Sequence, residues 1–182
     1  MGKVVILGGN ARSGKSTLSY KLISKGFSRI SFDTIQSAIE DGLNIPFDDL
    51  EEDKKIAFFE QIVDKAIEEA DLEEINTVID MYDYLPVDMD RLQNKDKIEV
   101  YFLAYPNCTL EEIKYNVIHY AKPTDWIAQV DEEYLDSCVQ RFYERNKLLV
   151  DECQKYNMTL VDTKDGEDRD KVLNDLLIKI IK

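Results

Sequence analysis

The first apolar run along the chain, Lys3-Val-Val-Ile-Leu7, is short and β-branched, which predicts a buried strand. From there the apolar positions switch between two spacings. Four further short runs predict strands over residues 28–32, Asn76–Asp80, 97–104 and 157–161. Helical spacing fills the intervals: about 14–25, from Asp33-Thr34-Ile35-Gln36 to near Gly42, about 50–71, from Thr109 to about Tyr120, about Glu132–Lys155, and Glu167–Ile181. The helix over 50–71 carries an apolar stripe at Ile56, Phe59, Ile62, Val63, Ala66, Ile67 and Ala70. Gly26 is placed to end the first helix, and Thr109-Leu110-Glu111-Glu112 reads as a capping box. Residues 82–93 read as irregular, broken by Pro86, and 122–126 as a break. Strands alternating with helices predict an α/β domain whose parallel sheet is joined by crossover helices.

Between the first strand and the first helix stands Gly9-Asn-Ala-Arg-Ser-Gly-Lys-Ser16, which satisfies G-x-x-x-x-G-K-[ST] at every fixed position. A glycine-rich loop here can curl round an anion with its N–H groups inward, and the helix N-terminus adds partial positive charge. The spacing assigns Gly9, Asn10, Ala11, Arg12, Ser13, Gly14, Lys15, Ser16 and Thr17 to ATP, with Lys15 bridging β- and γ-phosphate and the Ser16 hydroxyl on Mg2+. Arg12 reaches phosphate, seals the lid or faces solvent.

Charge narrows the partners. Thirty-seven acids against 23 Lys and Arg give a net charge of -14, so the basic footprint of a nucleic-acid binder is missing. At 182 residues and 44% hydrophobic content the chain suits a single domain, 1–182. Cys108, Cys138 and Cys153 form no C-x-x-C pair and read as free thiols of a reducing, cytoplasmic environment. No apolar run approaches membrane-spanning length, so no membrane partner is expected. His119, the one histidine, sits in a helical pattern beside Tyr120 and reads as a packing or surface residue.

Further candidates follow from position. Asp33 falls at the carboxyl edge of the sheet, where it can cap a helix, or orient an acceptor hydroxyl and take its proton. Asp80, ending the third strand, can hold the outer water shell of Mg2+ or the acceptor, or be a solvated strand-end acid; Asp83 follows three residues on. Arg141 and Arg145 share a helix face. Glu144 lies three residues from Arg141, but no acid lies three or four from Arg145. That pattern points to an external anion such as a triphosphate, or to pairing with distant acids. Trp126, with Tyr120 and Tyr134, reads as a wall for acceptor or base, or as packing at a helix junction.

A phosphate loop on the first strand, an Asp ending the second, an Asp ending the third and an Arg-bearing helix before the last form one layout. It resembles the small P-loop kinases: nucleoside monophosphate kinases, shikimate and gluconate kinases, and their uncharacterised AAA relatives. The resemblance implies a three-layer P-loop fold with a five-stranded parallel sheet in the order 2-3-1-4-5 and a small helical lid at about 109–155. It implies transfer of the γ-phosphoryl of ATP to an acceptor hydroxyl, with Asp33 on that hydroxyl and Arg141 and Arg145 stabilising the moving charge. It also places Thr163-Lys164-Asp165-Gly166 near adenine. Three departures argue against a nucleotide acceptor: a loop without proline, Asp80-Met81-Tyr82-Asp83-Tyr84 in place of the Asp-Gly-Phe-Pro-Arg stretch, and only six arginines. A small, polar acceptor is expected, and the protein is expected to be a monomer or homodimer. The alternative is a nucleotide-binding regulator or toxin-like phosphotransferase acting on a macromolecule. A GTPase reading fails at Asn94-Lys95-Asp96-Lys97, which puts Lys97 where guanine needs a carboxylate.

Overall fold

The computed structural model describes residues 2–121, 126–163 and 167–182. Five strands, β1 (Val4–Gly9), β2 (Phe27–Ser31), β3 (Asn76–Asp80), β4 (Ile98–Ala104) and β5 (Thr159–Asp162), pair in parallel in the order β2-β3-β1-β4-β5. Around them run α1 (Lys15–Ile23), α2 (Phe32–Leu43), α3 (Glu52–Glu73), α4 (Pro86–Arg91), α5 (Leu110–His119), α6 (Glu132–Lys155) and α7 (Glu167–Ile181). This is the sheet order that the resemblance implies. Asp80 pairs in register with Leu7 on one side and Ser31 on the other, so the carboxyl ends of β1, β2 and β3 meet at one edge.

Every residue of β1 is buried, because helices cover both faces of the sheet. Side-chain alternation sends Val4 and Ile6 to one face and Val5 and Leu7 to the other. On the first face lie Phe59, Val63 and Ile67 of α3, with Phe32, Leu149 and Cys153. On the second lie Leu18 and Leu22 of α1, with Leu173, Leu176 and Ile180 of α7. A third cluster joins α5 to the first half of α6 through Ile113, Val117, Cys138, Val139 and Phe142.

Two expectations are corrected. β2 ends at Ser31, so Phe32 and Asp33 open α2 instead of closing a strand. Phe32 is fully buried, with Phe59 and Tyr84 each 5.2 Å away between ring centroids, and this packing turns the chain into the helix one residue early. Asp33 therefore lies in the first helical turn, where an acid suits the helix dipole, and Ser31 holds the N-cap position. The stretch read as irregular contains α4. Pro86 occupies the first turn, where a missing N–H costs nothing, and the Asp88 carboxylate accepts from Leu85 N at 2.8 Å, so Pro86 begins a helix instead of breaking one.

The Thr109 capping box forms as read: Glu112 N donates to Thr109 Oγ1 at 3.2 Å and Thr109 N to Glu112 Oε2 at 2.7 Å. Thr109→Ala should lower stability by about 1 kcal/mol, seen in urea as a lower midpoint at unchanged slope. None of the three cysteines forms a disulfide. Among the described residues no helix is long and apolar enough to cross a membrane.

Candidate functional site

The phosphate loop is shaped by where β1 must turn. Gly9 has φ +124, and a Cβ there would lie 2.1 Å from Leu103 O, so only glycine fits against β4. The loop is then tied down from within and from outside. Asn10 N donates to Leu103 O (2.9 Å), Ser13 Oγ to Asn10 O (2.7 Å) and Tyr105 OH to Ala11 O (2.7 Å). The fully buried Asn10 side chain accepts from Ala11 N at 2.8 Å and donates to Phe142 O at 2.6 Å and Asn146 Oδ1 at 2.9 Å. Asn146 Oδ1 also accepts from Tyr105 N at 3.2 Å. One buried amide pair thus fastens α6 to the loop, which leaves Arg145, one residue before Asn146, little freedom to move away from it.

Lys15 curls back over the loop, its Nζ donating to Asn10 O at 2.7 Å and Gly9 O at 3.2 Å. Burial lowers its pKa to about 8; Asp33 pulls it back up, Arg145 pushes it further down, and Asp80 and Asp83 raise it. Ser16 and Thr17 remain exposed next to it. Around this point opens a cavity of about 620 Å³ lined by Arg12, Gly14 to Thr17, Tyr20, Tyr105, Tyr120, Thr163 and Arg169. That volume falls in the range of small-molecule sites. Arg169, in the first turn of α7, donates to Arg12 O and so closes the outer side of the loop.

Asp33, Tyr82, Asp83 and Arg145 stand apart from that cavity but share Lys15 with it. Asp33 is exposed overall, yet the protein packed round its carboxyl still disfavours the charge and raises its pKa. Lys15 opposes that rise, Asp83 and Asp80 add to it, and the nearby Tyr82 backbone N–H favours the charged form. The Tyr82 ring lies 5.6 Å from Lys15 Nζ and 4.3 Å from the Arg145 guanidinium, between two cations. Arg145 donates to Tyr82 O and, at 3.4 Å, to Asp83 O; burial lowers its pKa. Arg141 donates to Cys138 Sγ at 3.0 Å, which raises its pKa, and lies 5.8 Å from the Tyr134 ring centroid. Among the described residues, the partners of the two arginines include backbone carbonyls, the Cys138 thiol and the side chains of Tyr82 and Tyr134.

Asp80 is not the solvated strand-end acid that its position also allowed. It is 4% exposed, and Arg29 holds both its oxygens, Nε to Oδ1 and Nη2 to Oδ2, each at 2.8 Å. That bidentate bond raises the Arg29 pKa. As arranged, the Arg29–Asp80 pair bridges β2 to β3. The exposed Ser16 hydroxyl fits Mg2+ carried in by phosphates, since that ion takes few protein ligands. Among the described residues no group of three or more His, Cys, Asp and Glu side chains gathers into a metal cage.

Arg29 and Arg169 were missed by sequence reasoning. A cation inside a predicted strand, between Ser28 and Ile30, was the available signal for Arg29; Arg169 carried none. The Trp126 side chain and residues 164–166 lie outside the described residues. Tyr120 lines the cavity, and Tyr134 sits by Arg141. His119 is exposed and stacks on Tyr115 at 5.1 Å.

No protein-family model matches the chain, and no curated protein matches it. Solved structures do. An unliganded sugar kinase from Janibacter sp. HTCC2649 is 14% identical with a TM-score of 0.63, covering 100% of this chain and 95% of that one. A shikimate kinase from Acinetobacter baumannii, in complex with shikimate, is 13% identical with a TM-score of 0.57, covering 100% and 94%. A gluconokinase from Sinorhizobium meliloti 1021 is 15% identical with a TM-score of 0.56, covering 99% and 95%. At such identities the likeness is one of fold: the chain has the fold of the small P-loop kinases.

Proposed function

We propose that the protein transfers the γ-phosphoryl of ATP to a hydroxyl of a small-molecule acceptor. The carrying observation is Lys15, which lines the 620 Å³ cavity and also stands in the electrostatic reach of Asp33, Asp83 and Arg145. A triphosphate entering through the cavity would replace the Gly9 and Asn10 carbonyls as partners of the Lys15 ammonium. The loop N–H groups and the α1 N-terminus would hold the remaining phosphate oxygens. Mg2+, bound at Ser16, would neutralise charge shared between β- and γ-phosphate. Arg145, fixed by its carbonyl partners, and Arg141, more exposed, would meet the charge that grows on the transferring group. Asp33 would orient the acceptor hydroxyl and take its proton, and its raised pKa brings its basicity closer to that task. We assign lid closure to the third apolar cluster, α5 through the first half of α6, since the second half of α6 is anchored by Asn146, Leu149 and Cys153.

The test is product detection by mass spectrometry after incubation with Mg-ATP and a panel of hydroxyl compounds. Asp33→Asn should lower kcat by about 10²-fold while ATP affinity stays within a few-fold. Undiminished turnover in that variant would remove Asp33 from the reaction. In the parent, kcat/KM should fall in acid as Asp33 takes up a proton, with the limb lying above the ordinary aspartate range because its pKa is raised.

A further inference from the structure

Resting on the phosphotransferase reading, we propose that Asn146 is a positioning residue for the transfer step: by tying α6 to the phosphate loop it sets where the Arg145 guanidinium stands relative to the γ-phosphoryl. Asn146 is 1% exposed, so it acts on a substrate only through its neighbours.

Two consecutive residues of α6 hold two different parts of the site. Asn146 Oδ1 accepts from Asn10 Nδ2 at 2.9 Å and from Tyr105 N at 3.2 Å, so one oxygen gathers the phosphate loop and the chain leaving β4. Asn10 Nδ2 also donates to Phe142 O, one helical turn before Asn146, at 2.6 Å. Tyr105 OH completes the knot by donating to Ala11 O at 2.7 Å. One residue before Asn146, Arg145 donates to Tyr82 O and, at 3.4 and 3.5 Å, to Asp83 O and Tyr84 O. The turn from Phe142 to Asn146 is thus a strut between the phosphate loop and the segment that follows β3. Arg141 lies one turn earlier and donates to Cys138 of its own helix, so the strut bears on Arg145.

Stability alone is a poor reason for Asn at this position. Among the described residues four buried side-chain polar atoms lack a hydrogen-bond partner, and two of them, Arg145 Nε and Asn146 Nδ2, fall on this consecutive pair. A half-satisfied amide is worse for a core than an apolar side chain of similar shape, and a buried orphan donor calls for an account of its use. What Asn146 supplies, and an apolar residue would not, is one acceptor for two donors on separate elements. Phosphoryl transfer depends on such placement, because its catalysis is almost entirely positioning and charge stabilisation. A misplacement of about 1 Å costs about 10²-fold in rate. In the step itself the acceptor oxygen forms a bond to the γ-phosphorus, the bond from that phosphorus to the β,γ-bridging oxygen breaks, ADP leaves with the electron pair, and the hydroxyl proton passes to Asp33. Arg145 meets the charge on the moving group from the place that the Asn10–Asn146 bond fixes.

The experiment is a kinetic double-mutant cycle on the full-length protein with Mg-ATP and an acceptor drawn from the hydroxyl panel. Asn146→Ala should lower kcat by about tenfold or more. Its affinity for Mg-ATP, measured by calorimetric titration, should stay within about threefold of the parent, because the loop N–H groups and Lys15 are untouched. In an Arg145→Met background the same substitution should change kcat by less than about twofold, since the group that Asn146 positions is gone. Urea denaturation establishes that each variant is folded, and Asn146→Ser, whose hydroxyl is one bond shorter than the amide oxygen, takes the place of Asn146→Ala in the cycle if the alanine variant does not fold. An equal loss of kcat in both backgrounds, a parallel loss of Mg-ATP affinity, or a kcat within about twofold of the parent overturns the inference and leaves the kinase reading standing, with the amide pair a structural fastening only. Transfer to no acceptor, by a parent protein that still binds Mg-ATP, overturns the kinase reading and the inference with it.

Discussion

Lys15→Met should abolish the thermal shift produced by Mg-ATP and lower turnover by about 10²–10³-fold, yet the ligand-free variant should be more stable than the parent at pH 7. The two halves have one cause. Lys15 is 9% exposed and its pKa is lowered to about 8. A drop from 10.5 to about 8 corresponds to roughly 3 kcal/mol of cost for holding the charge in the folded protein. Two carbonyl partners that Met would leave without a donor offset part of the gain, so about 1–2 kcal/mol of net stabilisation is expected. The pH dependence has a definite sign. Below pH 8 both folded and unfolded chains carry the proton and the cost is complete. Between about 8 and 10.5 the unfolded chain binds more protons at this site, so stability rises with pH as the cost is relieved. Urea midpoints of parent and variant should therefore approach and then cross within that window, the parent being the more stable above it. Parallel curves, or a Met variant that keeps its Mg-ATP shift, would refute the assignment.

Arg29→Met should destabilise the protein by about 3–5 kcal/mol, because Met keeps the stem packing and strands the Asp80 carboxylate. The Arg29 and Asp80 side chains are 21% and 5% exposed, so water is a poor substitute partner. Arg29→Met with Asp80→Asn should recover a large share, since a neutral amide loses far less on burial. Exposed pairs set the contrast: Lys65 and Glu68 meet at 2.6 Å but are 73% and 54% exposed, and Lys65→Ala should change stability by less than about 0.5 kcal/mol. Chemical denaturation of these three variants and of Asp80→Asn alone, which completes a double-mutant cycle on the buried pair, measures both. A loss below about 1 kcal/mol for Arg29→Met would mean that solvent reaches Asp80 after all.

The loop between β1 and α1 was legible because it is local: its glycine, lysine and serine positions act through the backbone of one continuous turn. The capping box at Thr109 and the span of α6 were legible for the same reason, since both depend on residues a turn or two apart. Residues 82–93 were misread because proline ends a helix in most contexts and starts one only when its neighbours supply a cap, as Asp88 does for Leu85. Asp33 was placed near its position but in the wrong element, because the pattern of Ser28 to Phe32 did not reveal that Phe32 would pack beside Phe59 and Tyr84.

The sequence by itself determined the order of the strands and their crossover helices, the parallel sheet and the glycine-rich loop after β1. Periodicity and the chemistry of neighbouring residues decide these things, and both are written in short stretches of chain. Only the tertiary structure decided who holds whom. Arg29 meets Asp80 across 51 residues, Arg145 meets the Tyr82 carbonyl across 63, and Asn10 meets Asn146 across 136. Those pairings turn a list of acids and arginines into a site where some charges are consumed and others stay open. They depend on which strand ends the fold brings to one edge, a matter of long-range packing that no local spacing encodes.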